Sequence, residues 1–264
     1  MRLPRRAADT EPDPSVLDSA IDVPDPETER IRSVFESRDR GHLRHPAIER
    51  AYRIVNRDRF ERMRILITRS VPGRPTILDV GCGAGHDIEA WLSIGWPPDA
   101  LAGVDLVEDR VREAQRRCPG VDLRVTSGAD LPFSDRTFDV ATASTVFSSI
   151  LDERMRRALF VEMCRVVRPG GMVLVYDFVV RKPGNNDVVP MDLSRLHALG
   201  RPPKTSVRLT PLLHIVALGT RFGGAGVSLA VRFAPRTHRM TSWRMPAHAD
   251  VQSEDRGSAP APQP

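Results

Sequence analysis

Cysteine is scarce in this chain, and its placement is uninformative for cross-linking. The three residues, Cys82, Cys118 and Cys164, are odd in number and show no C-x-x-C spacing. That excludes a disulfide framework and a zinc ribbon, and fits a reducing compartment. Aromatic residues make up only 5% of the 264 residues, although a hydrophobic fraction of 41% still suffices for a core. No apolar run reaches the roughly 18 residues that a membrane span needs, and the first ten residues, MRLPRRAADT, lack the apolar segment of a secretory signal. A cytoplasmic protein is expected. The formal net charge of +5 comes from scattered arginines, and Arg5-Arg6 is too short a run to count as a basic stripe. Nucleic acid therefore ranks low among partners.

What is present begins with Ile77-Leu78-Asp79-Val80-Gly81-Cys82-Gly83-Ala84-Gly85. An apolar run ends in an acid and then three alternate glycines, which reads as a buried parallel strand followed by a tight turn. A helix is expected to start at His86. Glycines without Cβ atoms let a ligand lie on the backbone, and the helix start offers N–H donors and a positive dipole end. A dinucleotide turn would instead read G-x-G-x-x-G, with its acid about 20 residues further on. Asp79 stands just before the glycines, where it would repel a pyrophosphate and attract an ammonium or sulfonium group.

These residues match the D-x-G-x-G-x-G motif, so the chain resembles the class I S-adenosylmethionine-dependent methyltransferases. Within them it is similar to the small-molecule type exemplified by quinone-biosynthesis methyltransferases. The later motifs follow in order. Leu101–Leu106 reads as a second strand ending at Asp105, whose two oxygens can accept the ribose hydroxyls. Glu108 and Asp109 read instead as first-turn helix acids. Ser127-Gly128-Ala129-Asp130-Leu131-Pro132-Phe133 resembles the segment in which the family places an acid against the adenine amino group, and Asp130 has the acceptor chemistry for it. Phe138-Asp139-Val140 opens a fourth strand, after which Ser144, Thr145, Val146 and Phe147 stand beside the methyl group. No Asn/Asp-Pro-Pro-Tyr/Phe clamp for exocyclic amines follows it, which lowers adenine and cytosine as acceptors. The resemblance implies a cofactor set of Asp79, Gly81, Cys82, Gly83, Gly85, Asp105, Leu106, Ala129, Asp130, Leu131 and Thr145, with S-adenosyl-L-methionine as cofactor.

The implied fold is α/β: a doubly wound, mostly parallel seven-stranded sheet with one antiparallel strand near the C-terminus. Residues 1–28 read as a disordered leader, 29–70 as an N-terminal helical cover with a clear helix over 46–70, 71–245 as the cofactor-binding domain and 246–264 as a disordered tail. Helices are expected over 86–94, 107–117 and 152–167, and strands over 121–125 and 138–143. Arg168-Pro169-Gly170-Gly171 reads as a reversal before a strand over 172–178. Beyond it come a helix over 191–199, a strand over 205–209, and Thr210-Pro211 as N-cap and first position of a helix to Arg221. A helix over 226–234 precedes the closing strand at 237–245, with 227–233 as an alternative location for that strand. Leu212–Leu218 is apolar and flanked by Arg208 and Arg221. It reads as a buried helix, with contact to a bilayer or lipid-carried acceptor left open.

The expected reaction is methyl transfer to a small-molecule or lipid- or glycan-linked acceptor at oxygen, without a metal. His86, His45 and Asp177 are weighed as bases and none is assigned. In the N-terminal cover, Tyr52, Arg53 and His45 are acceptor-pocket residues by resemblance alone. An NAD(P)-dependent oxidoreductase and a catalytically silent cofactor-binding subunit are the alternatives.

Overall fold

Strands buried on both faces need apolar side chains at successive positions, and the middle of this chain supplies them. In the computed structural model, which describes residues 25–37, 46–126, 130–181 and 184–247, seven strands form one sheet. They are β1 (Ile77–Val80), β2 (Leu101–Asp105), β3 (Asp122–Val125), β4 (Phe138–Ser144), β5 (Val167–Phe178), β6 (Thr205–Pro211) and β7 (Arg236–Arg244), in the order β3-β2-β1-β4-β5-β7-β6. The pairs from β3 through to β5 are parallel, and β7 lies antiparallel between β5 and β6. The expected doubly wound sheet with a single reversed strand is the architecture observed.

Alternation along each strand divides the core into two layers. Leu78 and Val80 of β1, with Val104, Ala141 and Val173, face one layer, into which α1 (Pro26–Ser37), α5 (Glu153–Val166) and α6 (Leu193–His197) pack through Ile31, Phe160 and Leu196. Ile77, Leu101, Val140 and Leu174 face the other, covered by α2 (Pro46–Ser70), α3 (His86–Ser93) and α4 (Glu108–Arg117). In this second layer Trp91 of α3 meets Phe60 of α2 edge-on at 5.1 Å. Met63 and Ile67 of α2 are also buried there, each worth roughly 1.5–3 kcal/mol.

Helix ends follow local chemistry. Asp152 caps α5, its Oδ1 accepting the amides of Arg154 at 2.6 Å and Met155 at 3.1 Å. Helix α1 starts at Pro26, inside the stretch read as a leader. The remainder of that stretch, residues 1–24, and the tail from residue 248 lie outside the described residues, as does His45.

Several C-terminal expectations are corrected. Arg168-Pro169-Gly170-Gly171 does not precede the strand: it bulges out of β5, so that Phe138 pairs with Val167 and Val140 already pairs with Met172. The helix expected over 191–199 shrinks to α6, capped by Asp192, because Met191 is drawn into the core ahead of it. Thr210 and Pro211 belong to β6, and no helix opens there. Thr210 takes φ +59° and turns its hydroxyl onto the Tyr176 phenol, so it cannot cap. The helix α7 starts at Leu213 and ends at Gly219, and the alternative strand site is occupied by helix α8 (Gly223–Phe233).

Helix α7, expected to be buried, is buried on one side only. Val216 and Ala217 pack on Ala51 and Val55 of α2, while Leu212, Ile215 and Leu218 face out. The 21 residues Leu213–Phe233 are, by length and composition only, apolar enough to cross a membrane. They do not form one rod, because Gly223 at φ +70° breaks the helix and α8 folds back onto α7. The two helices touch where a Cβ on Gly219 would stand 2.6 Å from the Gly226 carbonyl oxygen. Gly219→Val should therefore force the helices apart and cost about 1–3 kcal/mol, measured by urea denaturation, and a variant of unchanged stability would refute this contact.

Candidate functional site

The carboxyl edge of the parallel strands is where such sheets bind ligands, and the sequence-predicted acids meet there. Asp79 is the third residue of β1, and Asp105 is the last of β2. Between them the glycine turn is pinned from below: the amides of Gly81 and Cys82 both donate to the Val104 carbonyl, at 2.8 and 2.9 Å. Gly81 has φ +73°, and a Cβ there would stand 2.4 Å from Val146 Cγ2, so only glycine fits beneath the segment after β4. At Gly83 a Cβ would have nothing nearer than the Arg110 guanidinium at 3.8 Å. That face of the turn is open to a ligand. Cys82 is buried and its thiol is pushed far up by burial, then by Asp79 and Asp105, so it fills space and stays protonated.

Asp105 has a structural task as well. Its Oδ2 accepts the Gly83 amide at 2.7 Å and its Oδ1 the Val107 amide at 2.9 Å. One carboxylate thereby fixes the turn after β1 and the start of α4, and each oxygen keeps a further lone pair for a ligand hydroxyl. Leu106 beside it is half-buried against the core. Asp130 is exposed, and its carbonyl accepts from Thr126 Oγ1 at 2.9 Å. Leu131 points its side chain into the core, while its amide donates to Glu162 and its carbonyl accepts from Arg165. Ala129 lies outside the described residues. Thr145 directly follows β4 at φ +58°, an uncommon conformation for a β-branched residue, and is held there by its amide donating to the Tyr176 carbonyl at 2.7 Å.

The three weighed bases separate. His86 is exposed at the start of α3, its Nδ1 3.9 Å from Glu89. Asp177 is buried and ties down the segment after β4, accepting the amides of Ser148 at 2.9 Å and Phe178 at 2.8 Å. Burial raises its carboxyl to about 6, against the opposing pull of the Ser148 bonds. Among the N-terminal residues, Tyr52 and Arg53 are exposed on α2.

A group that the sequence reading missed governs the site. Arg59 of α2 is buried beside the glycine turn and forms a two-pronged ion pair with Asp87 of α3, with NH1 2.9 Å from Oδ2 and NH2 also bonded to Oδ1. Ser144 Oγ lies 3.2 Å from both NH1 and Oδ2. Burial opposes the charge on Asp87, but the Arg59 guanidinium outweighs it and holds that carboxyl below its usual range. Asp79 has no such direct partner. Burial first and the Asp87 charge second raise it to about 8, and only Thr142, donating to Oδ1 at 2.9 Å, and the more distant Arg59 oppose this.

The same wall continues through Tyr176, whose ring lies 5.3 Å below the Arg59 guanidinium and stacks at 4.9 Å on His238. Burial, then the Arg59 charge, lower His238 to about 3, so its imidazole is neutral. A sequence signal for Arg59 existed. Ala51, Val55, Arg59, Met63 and Ile67 are the buried residues of α2, one every four positions, and an arginine in an otherwise apolar stripe marks a buried charge. Among the described residues no cluster of His, Cys, Asp and Glu could hold a metal ion.

Known proteins resemble this chain in sequence from its first strand into its fifth and in fold over most of its length. A family model for a methyltransferase domain matches residues 77–171. The chain is 31% identical over 120 residues to the demethylmenaquinone methyltransferase of Renibacterium salmoninarum, an overlap of 46% of this chain and 48% of that protein. It thus spans about half the length of the curated relatives it matches. The geranyl diphosphate C-methyltransferase of Streptomyces coelicolor A3(2) superposes with a TM-score of 0.58 at 15% identity, over 83% of this chain and 97% of that one. The [4+2]-cyclase SpnF gives 0.51 at 21% identity, over 70% and 80%. At these identities the structural likeness shows the fold alone.

Two outcomes test the electrostatics. Arg59→Met leaves Asp87 buried without its cation and should cost about 3–5 kcal/mol in chemical denaturation. Asp79 keeps its proton in the folded chain to about 8 but would lose it near 3.8 when unfolded. Folding then takes up a proton, and this contribution to stability falls as pH rises between those values. Asp79→Asn removes it, so variant-minus-wild-type stability should climb from pH 5 to pH 8, and a flat difference would contradict the raised carboxyl.

Proposed function

We propose, from the premise that this chain belongs to the class I S-adenosylmethionine-dependent methyltransferases, that it transfers a methyl group from S-adenosylmethionine to a small organic acceptor, with oxygen as the accepting atom. The observation that carries this reading is the open Gly83 face lying between the carboxylates of Asp79 and Asp105. The dinucleotide alternative is set aside, since the matched domain is a methyltransferase domain.

The residues fit the cofactor chemically. Asp79 offers a carboxyl to the ammonium of its amino-acid end, and Arg59, close by, is the cation that suits its carboxylate. Asp105 offers its remaining lone pairs to the ribose hydroxyls, and Asp130 an acceptor to the adenine amine. S-adenosylmethionine supplies a methyl group on a sulfonium that is already a good leaving group, so neither metal nor covalent intermediate is required. The protein's part is alignment and exclusion of water, and orientation alone can contribute on the order of 7–11 kcal/mol.

Oxygen as acceptor is supported by His238. Its register partner Phe178 ends β5, which places this neutral imidazole at the ligand edge. It can accept a hydrogen bond from an acceptor hydroxyl, with Thr237 Oγ1 sharing a 2.8 Å bond with its Nδ1. So low a pKa makes it a positioning residue for a hydroxyl and not its base, so the proton released on methyl transfer passes to solvent. A small-molecule acceptor is supported by the names of several sequence relatives, which specify demethylmenaquinone.

Calorimetric titration of the full chain with S-adenosylmethionine should show micromolar binding, and Gly83→Val should weaken it by roughly tenfold or more with the circular dichroism unchanged. No binding at millimolar cofactor by a folded chain would overturn the proposal. Because Asp79 must release its proton to pair with an ammonium, affinity should rise with pH from 6 towards 8, accompanied by proton release in buffers of different ionisation enthalpy.

A further inference from the structure

The α7–α8 hairpin has an outer surface that the fold does not use. Leu218, Phe222, Leu229 and Phe233 are 55, 73, 62 and 71% exposed, and Leu212 and Ile215 continue the stripe along α7. Single exposed apolar residues need no explanation, but two phenylalanines and several leucines on one helical pair do. The hairpin is anchored from beneath by Val216 and Ala217 on α2, and its two helices are locked at Gly219 and Gly226. This is a rigid apolar surface.

Charge is the second and independent observation. From Leu193 to Ala247 the sequence holds nine arginine and lysine residues and no aspartate or glutamate, although the whole chain is only +5. The rest of the chain is therefore net negative, and the positive end coincides with the hairpin. Arg221 and Arg232 are exposed within it, and Arg208 is exposed on the adjoining β6, where Asp58 of α2 is the acid that shares a cleft with Arg208, Val231 and Arg236. Exposed apolar side chains on a hairpin that itself carries cations and no acid match an anionic bilayer: the apolar groups enter the acyl boundary and the cations meet the headgroups. A second copy of this chain would bring the same positive charge against itself.

Orientation adds a reason for such docking. Strand β6 runs in the direction of β1–β5, so its end at Pro211 and the hairpin that follows lie at the carboxyl edge, the edge that carries the candidate site. We propose that the α7–α8 hairpin docks this protein peripherally on an anionic membrane surface, without spanning it, and so holds the mouth of the site towards the lipid. This goes beyond the methyl-transfer reading and does not depend on it.

Sedimentation of the full chain with vesicles of phosphatidylglycerol and phosphatidylcholine tests the proposal, with pure phosphatidylcholine as the contrast. Binding is expected to the anionic vesicles only, weakening as salt is raised. The double variant Phe222→Ser/Phe233→Ser should lose roughly tenfold or more in partitioning. Both side chains are exposed, so thermal stability and S-adenosylmethionine titration of the same preparation should be unchanged. Phe222→Trp should show a blue-shifted emission on adding anionic vesicles. Absence of binding to anionic vesicles, equal binding by the double variant, or a concentration-dependent dimer that buries the tryptophan without lipid would each overturn it. A chain that binds vesicles but not the cofactor would leave this inference standing and remove the other.

Discussion

Two carboxylates, Asp79 and Asp87, are buried within reach of one another at the carboxyl edge of the sheet, and one guanidinium makes this tolerable. Isolated charges in a protein interior cost several kcal/mol each, and the cost is offset only by close, hydrogen-bonded pairing. Arg59 meets Asp87 with both of its terminal nitrogens and leaves Asp79 to keep its proton. The N-terminal helix α2 is thus joined to the glycine turn by charge as well as by the apolar contacts of Phe60, Met63 and Ile67. Cover and site form one electrostatic unit, and a ligand that brings an ammonium and a carboxylate would enter a place already divided into complementary halves.

Around that unit the fold works as a frame that fixes backbone. Val104 receives two amides from the turn, Asp105 receives one from the turn and one from the start of α4, and Asp177 receives one from the segment after β4. These bonds join neighbouring strand ends to the loops that follow them, so the loops at the ligand edge are positioned by buried groups. The N-terminal helix α1 is latched in the same way: Glu27 accepts the Leu151 amide, and Arg30 donates to the Ser149 carbonyl at 2.6 Å. Helices from both sheet faces thereby converge on the site. The likeness to a cyclase as well as to a methyltransferase fits a scaffold whose chemistry depends on what the edge is given to hold.

The C-terminal part of the chain plays a different role. It adds β6 and β7 to the sheet, and between them places a hairpin whose inner side is committed to α2 and whose outer side is not committed to protein. Thr210 of β6 and His238 of β7 meet Tyr176 of β5 on the wall under Arg59. Two of the three strands that build that wall thus come from the segment in which the sequence carries the fewest signals.

The sequence by itself determined what depends on local order. Short apolar strand runs, the acid followed by three spaced glycines, and the helix opening at Asp152 each depend on a few successive residues, through backbone sterics and hydrogen bonds, and so can be read from neighbours. The helix over 46–70 and the strand over 205–209 followed from the same kind of pattern. Only the tertiary structure decided that Arg59, one arginine among many on α2, is buried, because that depends on Asp87 arriving from another helix. It also decided that Thr210 turns to Tyr176 instead of capping a helix, that Arg168–Gly171 bulges within a strand, and that an apolar stretch at Leu213–Phe233 folds back on itself with one side exposed. In each of these the competing local preference was weaker than a contact between distant segments, and only Arg59 left a trace in the order of residues, as the one arginine in the apolar stripe of α2.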